Sequence, residues 1–162
     1  MDTLDQSNNQ IFADNQQGRL NIWWIVGFVD GDGCFSISIF KNVTSKSGFQ
    51  VFPEFVVTQG AKSLSALKKL QNFFGCGNIY ENRRADNHRE NLYRYCVRSL
   101  SDIQGKIIPF FKQHNLQTAK QQDFLVFCKV VEAMGKRSHL NLDGLQEIRE
   151  LAATMNRRKQ RI

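Results

Sequence analysis

The chain has 162 residues, a net charge of +7, 41% hydrophobic residues and 23% charged residues. This length favours a single domain, because most domains run to about 100–200 residues, and the composition is typical of a globular protein. The basic charge points first to a polyanionic partner. The longest apolar run, Ile22 to Val29, is far short of the ~20 residues that span a bilayer, and the four cysteines never form a C-x-x-C pair that would indicate a zinc or redox site.

The N-terminal segment differs in composition from the remainder of the chain. Residues 1–18 are rich in Asn, Gln, Asp and Ser and contain few apolar side chains, so they cannot bury enough surface to offset the entropy of ordering. We expect a flexible tail over residues 1–18 and one domain over residues 19–162. The tail has three aspartates before its first basic residue, Arg19, and shows none of the features of an organellar import signal.

The hydrophobic pattern predicts helices alternating with pairs of strands. The first helix begins after Asn21, a good N-cap residue, and is apolar on all sides, which indicates burial on more than one side. In chain order the predicted elements are this helix, strands over residues 35–40 and 49–58, a helix over 64–74 that Gly75 ends, strands over 77–84 and 91–98, and helices capped by Ser101 and Thr118 followed by a last helix over 142–155. The order α-β-β-α-β-β-α predicts an α+β fold whose helices cover one face of an antiparallel sheet.

The second face of this sheet is expected to meet solvent or a ligand. Alternation along the strands assigns to it Ser36, Ser38, Phe40 and Asn42, then Gln50, Phe52, Glu54, Val56 and Thr58, then Tyr80, Asn82 and Arg84. The fourth strand leaves two assignments open, because either Tyr93 and Tyr95 or Arg94 and Arg98 fit the alternation.

One segment has features that an ordinary core helix lacks. Residues 24–33, WIVGFVDGDG, place Gly27 and Gly31 four residues apart and end in two aspartates, Asp30 and Asp32. Glycine inside a helix costs about 1 kcal/mol relative to alanine, so we expect another backbone to pack closely at these two positions. Aspartates at the C-terminal end of a helix face the negative end of its dipole and require a compensating cation.

Two simpler explanations of the acidic residues exist. The aspartates could merely cap or solvate the turn made by Gly31 and Gly33, and this is the favoured explanation for an arbitrary D-G-D-G sequence. A calcium-binding EF-hand loop is excluded, because Phe35 stands where glycine is needed and Lys41 stands where the bidentate glutamate is needed.

Taken together, the helix, the glycine spacing and the acidic residues resemble the LAGLIDADG motif, with residues 25–33 in its nine positions. The form with Phe, Val and Gly is typical of the single-motif, homodimeric branch of the homing endonucleases. The resemblance covers residues 20–133 and implies an antiparallel sheet that forms a DNA-binding saddle. It also implies a homodimer joined through Gly27 and Gly31, and an organelle-encoded protein of the chloroplast or mitochondrion.

The resemblance further implies a set of catalytic residues. Asp32 matches the acidic metal ligand of the motif, the carbonyl of Gly31 is a second implied metal contact, and Asp30 is expected to brace the helix end. Mg²⁺ is the expected metal, with Mn²⁺ able to substitute. Gln59 resembles the strand-end glutamine that orients the nucleophilic water, and Lys120 resembles the basic residue that supports the transition-state charge.

A further family position, usually basic, is Ser63 in this chain, which leaves open whether Lys62 takes its place.

The resemblance implies a site-specific endonuclease that hydrolyses both strands of a long pseudopalindromic DNA site. The sheet face would lie in the major groove, where polar side chains read base edges. The residues expected to contact DNA are Ser38, Asn42, Gln50, Tyr80, Asn82, Arg84 and Tyr93. Two other functions on the same fold remain open, an RNA-binding intron maturase and a non-catalytic DNA-binding regulator. The joint presence of Asp32, Gln59 and Lys120 favours the enzyme.

Overall fold

The helices and strands follow the predicted order. The computed structural model describes residues 20–83 and 90–155. Its first part comprises α1 (Ile22–Asp32), β1 (Gly33–Lys41), β2 (Phe49–Gly60), a 3₁₀ turn (Ala61–Ser63) and α2 (Leu64–Phe74). Its second part comprises β3 (Asn78–Asn82), β4 (Leu92–Val97), α3 (Leu100–Asp102), a π-helical turn (Ile103–Ile107), α4 (Ile108–Gln113), α5 (Lys120–Gly135), a 3₁₀ turn (Ser138–Leu140) and α6 (Leu142–Ala153). The predicted tail and Arg84 lie outside the described residues. None of the described helices is long and apolar enough to cross a membrane.

The four strands form one antiparallel sheet in the order β1-β2-β4-β3. Each predicted hairpin therefore contributes one central strand and one edge strand. The register pairs Phe35 with Phe55 between β1 and β2, and pairs Val57 with Tyr95 between β2 and β4. This arrangement confirms the predicted α+β class.

The hydrophobic core contains sheet residues of one alternation only. The fully buried sheet residues of the main core cluster are Phe35, Phe55, Val57, Tyr95 and Val97, which pack with residues of the helices. The Phe35 ring lies 5.1 to 5.6 Å from the rings of four other phenylalanines, measured between centroids. Burying each such side chain contributes about 1.5–3 kcal/mol to folding. We call this side of the sheet the core face.

The alternate residues form the second side of the sheet, which we call the open face. It carries Ser36, Ser38 and Phe40 of β1, Gln50, Phe52, Glu54, Val56 and Thr58 of β2, Tyr80 and Asn82 of β3, and Arg94 and Cys96 of β4. None of these residues belongs to the two hydrophobic core clusters within the described part of the chain. The predicted alternation of β1, β2 and β3 is therefore correct.

Two glycines fix the ends of α1 and α2. Gly33 follows α1 directly, and a Cβ at this position would lie 2.7 Å from Val29 Cγ1 and 2.8 Å from the Val29 carbonyl oxygen, so only glycine lets β1 start so close to the helix. Gly75 ends α2 with φ 61°, a left-handed conformation that glycine adopts without strain. The predicted N-cap of α1 is also observed, since Asn21 Oδ1 accepts hydrogen bonds from the backbone of Trp23 and Trp24.

The helix over residues 100–113 differs from the prediction in its start and in its interior. Ser99, and not Ser101, is the N-cap, because the Ser99 hydroxyl accepts the Asp102 N–H at 3.3 Å. The wider π turn then ends at Ile108, whose N–H donates to the Ile103 carbonyl. Pro109, which has no N–H to donate, stands in the first turn of α4, where a helix tolerates proline.

Candidate active site

Asp30 is built into the fold at the C-terminal end of α1. Its carboxylate accepts hydrogen bonds from the Gln117 N–H at 2.7 Å, from the Thr118 N–H at 3.3 Å and from the Thr118 hydroxyl at 2.8 Å. These bonds tie α1 to the segment that leads into α5. Asp30 is therefore placed to brace the helix end, as expected. The Thr118 hydroxyl also accepts the Lys120 N–H at 3.3 Å, so Thr118 caps the start of α5 as predicted, although Ala119 stands between it and the helix.

Lys120 supplies the cation that the end of α1 requires. Its Nζ donates to the carbonyl oxygens of Val29 and Asp30, both at 2.7 Å. The last carbonyls of a helix have no partner within the helix, and a positive charge there is favourable for the helix dipole. Burial lowers the pKa of the Lys120 ammonium, and the nearby acidic groups, Asp30 first among them, oppose this shift.

Asp32 is the last residue of α1 and is exposed. Its Oδ2 accepts a hydrogen bond from Gln59 Nε2 at 2.7 Å. The two residues meet because Gly33 pairs with Val57, which brings the start of β1 beside the end of β2. Lys120 lies close enough to influence Asp32 electrostatically. The structure thus brings together the three residues that the sequence singled out for catalysis.

Lys62 and Ser63 lie just beyond β2. Lys62 is exposed in the 3₁₀ turn, and its backbone N–H donates to Glu90 Oε1 at 2.5 Å. Ser63 occupies the N-cap position of α2, and its side chain makes no capping hydrogen bond. Neither residue joins Asp32 and Gln59 through a hydrogen bond within the described residues, so the question whether Lys62 takes the place of the basic residue expected at Ser63 stays open.

The predicted DNA-contacting residues divide between the two faces of the sheet. Five of them have open-face alternation or continue it: Ser38, Asn42, Gln50, Tyr80 and Asn82. Within this group Asn42 Nδ2 donates to Gln50 Oε1 at 3.0 Å. Arg84 lies outside the described residues.

Tyr93, which we expected to contact DNA, lies on the core face, so the structure selects the other of the two alternations left open for β4. It pairs with Gln59 and shares the alternation of the fully buried Tyr95, so it packs against the core. Arg94 takes the open face of β4 instead, opposite Thr58 and Tyr80.

An ion-paired group on the open face was missed from the sequence. Glu54 accepts hydrogen bonds from Arg94 at 2.9 Å and from Arg98 at 2.5 Å. The bond to Glu54 raises the pKa of the Arg98 guanidinium further above its ordinary value. Glu54 is therefore neutralised in place, although an acidic residue alone would weaken binding to a polyanion.

The outward side of α1 carries both motif glycines. A Cβ built on Gly27 or on Gly31 would have no neighbouring atom within 4 Å among the residues that the structure describes. Trp23 and Trp24, on the same helix, are 63% and 38% exposed, whereas Ile25, Val26 and Val29 are buried in the core. The apolar helix α1 is thus buried on one side only, and its other side exposes both glycines and both tryptophans.

An exposed carboxylate at a helix end, beside a sheet face that carries arginines, defines a candidate nucleic-acid hydrolase. Comparison with known proteins makes this class specific. The chain matches the family model described as LAGLIDADG endonuclease over residues 25–131, and it therefore belongs to the LAGLIDADG endonuclease family. The predicted family and fold are both confirmed.

Individual relatives agree with this assignment. The chain is 31% identical over 143 residues to a Neurospora crassa protein named "Probable intron-encoded endonuclease 3", covering 88% of this chain and 26% of that protein. It superposes on the homing endonuclease I-TnaI with a TM-score of 0.79 at 37% identity, covering 86% of this chain and 90% of that one. It superposes on I-SmaMI bound to cleaved DNA with a TM-score of 0.80 at 35% identity, covering 88% and 46%.

The relatives differ from this chain in length. The chain spans 26% to 34% of the length of curated relatives such as the Neurospora protein. It spans nearly all of the I-TnaI chain but less than half of the I-SmaMI chain.

Proposed function

We propose that this chain is a homing endonuclease that uses a divalent metal to hydrolyse both strands of a long pseudopalindromic DNA site, and that it acts as a homodimer. The observation that carries the proposal is the exposed Asp32 carboxylate, held by Gln59 at the end of the half-buried motif helix. The related I-SmaMI has been solved with cleaved DNA and with uncleaved DNA in the presence of calcium ions. The intron-encoded character of the relatives supports an organelle gene, and hence a location in the chloroplast or mitochondrion.

The need for a second copy follows from the two glycines of α1. Each costs about 1 kcal/mol of helix stability relative to alanine, and no atom of residues 20–83 and 90–155 occupies the space that a side chain would fill. A second helix backbone packed against this side would account for both glycines and would cover Trp24. Two-fold pairing is the commonest symmetry of soluble oligomers. It would place one Asp32 from each copy at the centre.

The donor atoms at this centre suit a hard divalent cation. The carboxylate of Asp32 and the carbonyl oxygen of Gly31 would hold the metal, and oxygen ligands are those that Mg²⁺ prefers. No group of three or more His, Cys, Asp or Glu side chains placed to bind a metal occurs in residues 20–83 and 90–155. When bound, the metal polarises the scissile phosphate and lowers the pKa of the attacking water.

The residues of the chain have distinct parts in this mechanism. Gln59 fixes one carboxylate oxygen of Asp32 through its amide N–H and directs its amide oxygen to the attacking water. Lys120 holds the end of α1 in place and adds positive charge beside the developing negative charge of the phosphate. The open face lies in the major groove, where Ser38, Gln50 and Asn82 contact base edges.

The direct test is selection of cleavable sites from a randomised duplex library, with Mg²⁺ and with EDTA. We expect a pseudopalindromic site to be cut on both strands with Mg²⁺ and left intact with EDTA. Cutting that continues in EDTA would contradict metal dependence. Specific RNA binding without DNA cleavage would favour the maturase, and specific DNA binding without cleavage would favour the regulator.

The homodimer is tested by Gly27→Leu, with the mass of the particle measured by light scattering. The leucine would be driven between two backbones, at a cost above the ~1–3 kcal/mol of ordinary overpacking, so we expect monomers where the wild type gives dimers. Gly105→Leu is the matched control, because a Cβ there also has no neighbour within 4 Å but the residue lies outside α1. A wild-type protein that stays monomeric at micromolar concentration would contradict the proposed homodimer.

A further inference from the structure

The ion-paired group lies where the two central strands of the open face meet. The Glu54 side chain is 11% exposed, whereas the side chains of Arg94 and Arg98 are 38% and 40% exposed. The carboxylate is therefore largely shielded from solvent while both guanidinium groups reach it. Glu54 is one of the few polar residues that the structure buries within the described ranges.

Arg98 is held from three directions. Its Nε donates to Glu54, and its guanidinium carbon lies 5.0 Å from the centroid of the Tyr80 ring and 5.7 Å from that of Phe52. Cation–π contacts at these distances are attractive. An arginine fixed in this way loses little further conformational entropy when it binds a ligand. Arg98 is preorganised more than an exposed surface arginine would be.

The bond to Glu54 determines which part of Arg98 can meet a ligand. Arginine has five N–H donors in a planar fork, and only the Nε donor is directed to Glu54. The paired N–H groups of Nη1 and Nη2 make no hydrogen bond within the described residues, and the side chain is 40% exposed. Paired donors of this kind match the O6 and N7 acceptors of guanine in the major groove.

The negative charge of Glu54 indicates that the contact orients the Arg98 guanidinium and does not serve to attract DNA phosphates. A carboxylate on a DNA-binding face reduces the pull on phosphates. An arginine that contacts only phosphate needs neither a carboxylate nor two rings to set its plane. The contacts of Arg98 with Glu54 and the two rings are explained if Arg98 must point in one direction to bind its ligand.

We propose that Arg98 reads a guanine in each half of the DNA site, and that Glu54 is a positioning residue that orients it. The inference rests on the proposed function, since it takes double-stranded DNA as the ligand. It adds a specificity-determining residue that the sequence alternation had left open.

The first test compares Arg98→Lys with the wild type on a library of single-base variants of the selected site. Lysine keeps the charge but loses the fork, so discrimination at one position in each half-site should fall by about 5- to 150-fold, the range of one bidentate contact. Other positions should be unchanged. Arg149→Lys is the matched control, because Arg149 also lies over a ring, that of Phe49 at 4.2 Å, but on the core face. It should leave the whole profile unchanged.

Two further measurements separate a base contact from a structural role. Replacing that guanine with 7-deazaguanine removes the N7 acceptor, which should weaken binding of the wild type more than that of Arg98→Lys, because the lysine ammonium lacks the planar fork that pairs N7 and O6 together. Glu54→Gln should relax discrimination at the same base without lowering the affinity for non-specific DNA, because it removes a negative charge. Circular dichroism melts would show that each variant is folded. If Glu54→Gln does not fold, the single-base library and the 7-deazaguanine substitution still decide the inference.

The possible failures are distinguishable. An unchanged base preference in Arg98→Lys overturns the inference and leaves the proposed function standing. The same holds for a uniform loss of affinity over all sequences with the salt slope reduced by about one, which indicates a phosphate contact. A wild-type protein that binds no DNA site specifically overturns both proposals.

Discussion

The two sides of the last turn of α1 show how neighbouring aspartates acquire different tasks. On the inward side Asp30 accepts three hydrogen bonds from residues 117 and 118, and Lys120 binds the adjacent carbonyls. On the outward side Asp32 is exposed and accepts one hydrogen bond, from Gln59, within the described residues. Residues two apart on a helix point in nearly opposite directions. The inward carboxylate therefore serves stability, and the outward one remains available for chemistry.

The largest effect on the cleavage rate is expected for Asp32→Asn. The variant should lower the single-turnover cleavage rate by more than about 10²–10³-fold, the range for losing one donor of transition-state charge stabilisation. Its free energy of unfolding should change by less than about 0.5 kcal/mol, as for other exposed substitutions. Asp143→Asn, an exposed aspartate in the first turn of α6, is the control for cleavage. Cleavage at the wild-type rate would remove Asp32 from the catalytic group.

The opposite result is expected for Asp30→Ala. This variant leaves the N–H groups of Gln117 and Thr118 without their acceptor, which should lower the free energy of unfolding by about 2 kcal/mol, within the range for a hydrogen-bonded charged group. Urea denaturation measures the change. Asp143→Ala should cost only about 0.5 kcal/mol, the value of an acidic residue near a helix N-terminus. Equal losses in the two variants would show that Asp30 does not brace the helix.

Gln59→Leu tests whether Gln59 positions the exposed carboxylate of Asp32. It removes the hydrogen bond to Asp32 without removing a metal ligand, so the cleavage rate should fall by about 10–100-fold, as when a partner of a metal ligand is lost. Measuring the rate over a range of Mg²⁺ concentrations separates a weaker metal site from a slower chemical step. An unchanged rate at every concentration would mean that Gln59 does not position Asp32.

The smallest effect concerns Lys120 and pH. Burial lowers the pKa of Lys120 in the folded protein, so above that folded-state pKa the unfolded chain binds the proton more tightly. The free energy of unfolding should therefore rise with pH up to the ordinary lysine pKa of about 10.4.

This rise in the free energy of unfolding with pH should be absent from Lys120→Met. It should be retained in Lys129→Met, which changes an exposed position of the same helix. Denaturant midpoints between pH 7 and pH 10 measure it. The same slope in all three proteins would place Lys120 in a solvated environment.

Much of the fold was predictable because its signals are local. The Asn21 cap, the end of α2 at Gly75 and the alternation of β1 each depend on residues a few positions apart. The motif likewise placed Asp32 at the end of a helix. The family resemblance placed Gln59 in the same catalytic group, but its hydrogen bond to Asp32, which spans 27 positions, was not predicted.

The errors arose where a distant partner decides the outcome. On β4 both alternations contain aromatic or long side chains, and the pairing with β2 is what turns Tyr95 to the core and Arg94 away from it. The bonds from Arg94 and Arg98 to Glu54 span 40 and 44 positions. No local pattern signals such a contact.

A dimer joined through the exposed side of α1 would make the amount of protein a control on its activity. If catalysis requires two copies joined through this helix, the active fraction follows mass action: well below the dissociation constant, halving the protein concentration leaves about a quarter of the dimers. A chain that is weakly expressed would then cut DNA far less than in proportion to its abundance. Trp23 and Trp24, which are 63% and 38% exposed in the single chain, would then be left in water at low concentration.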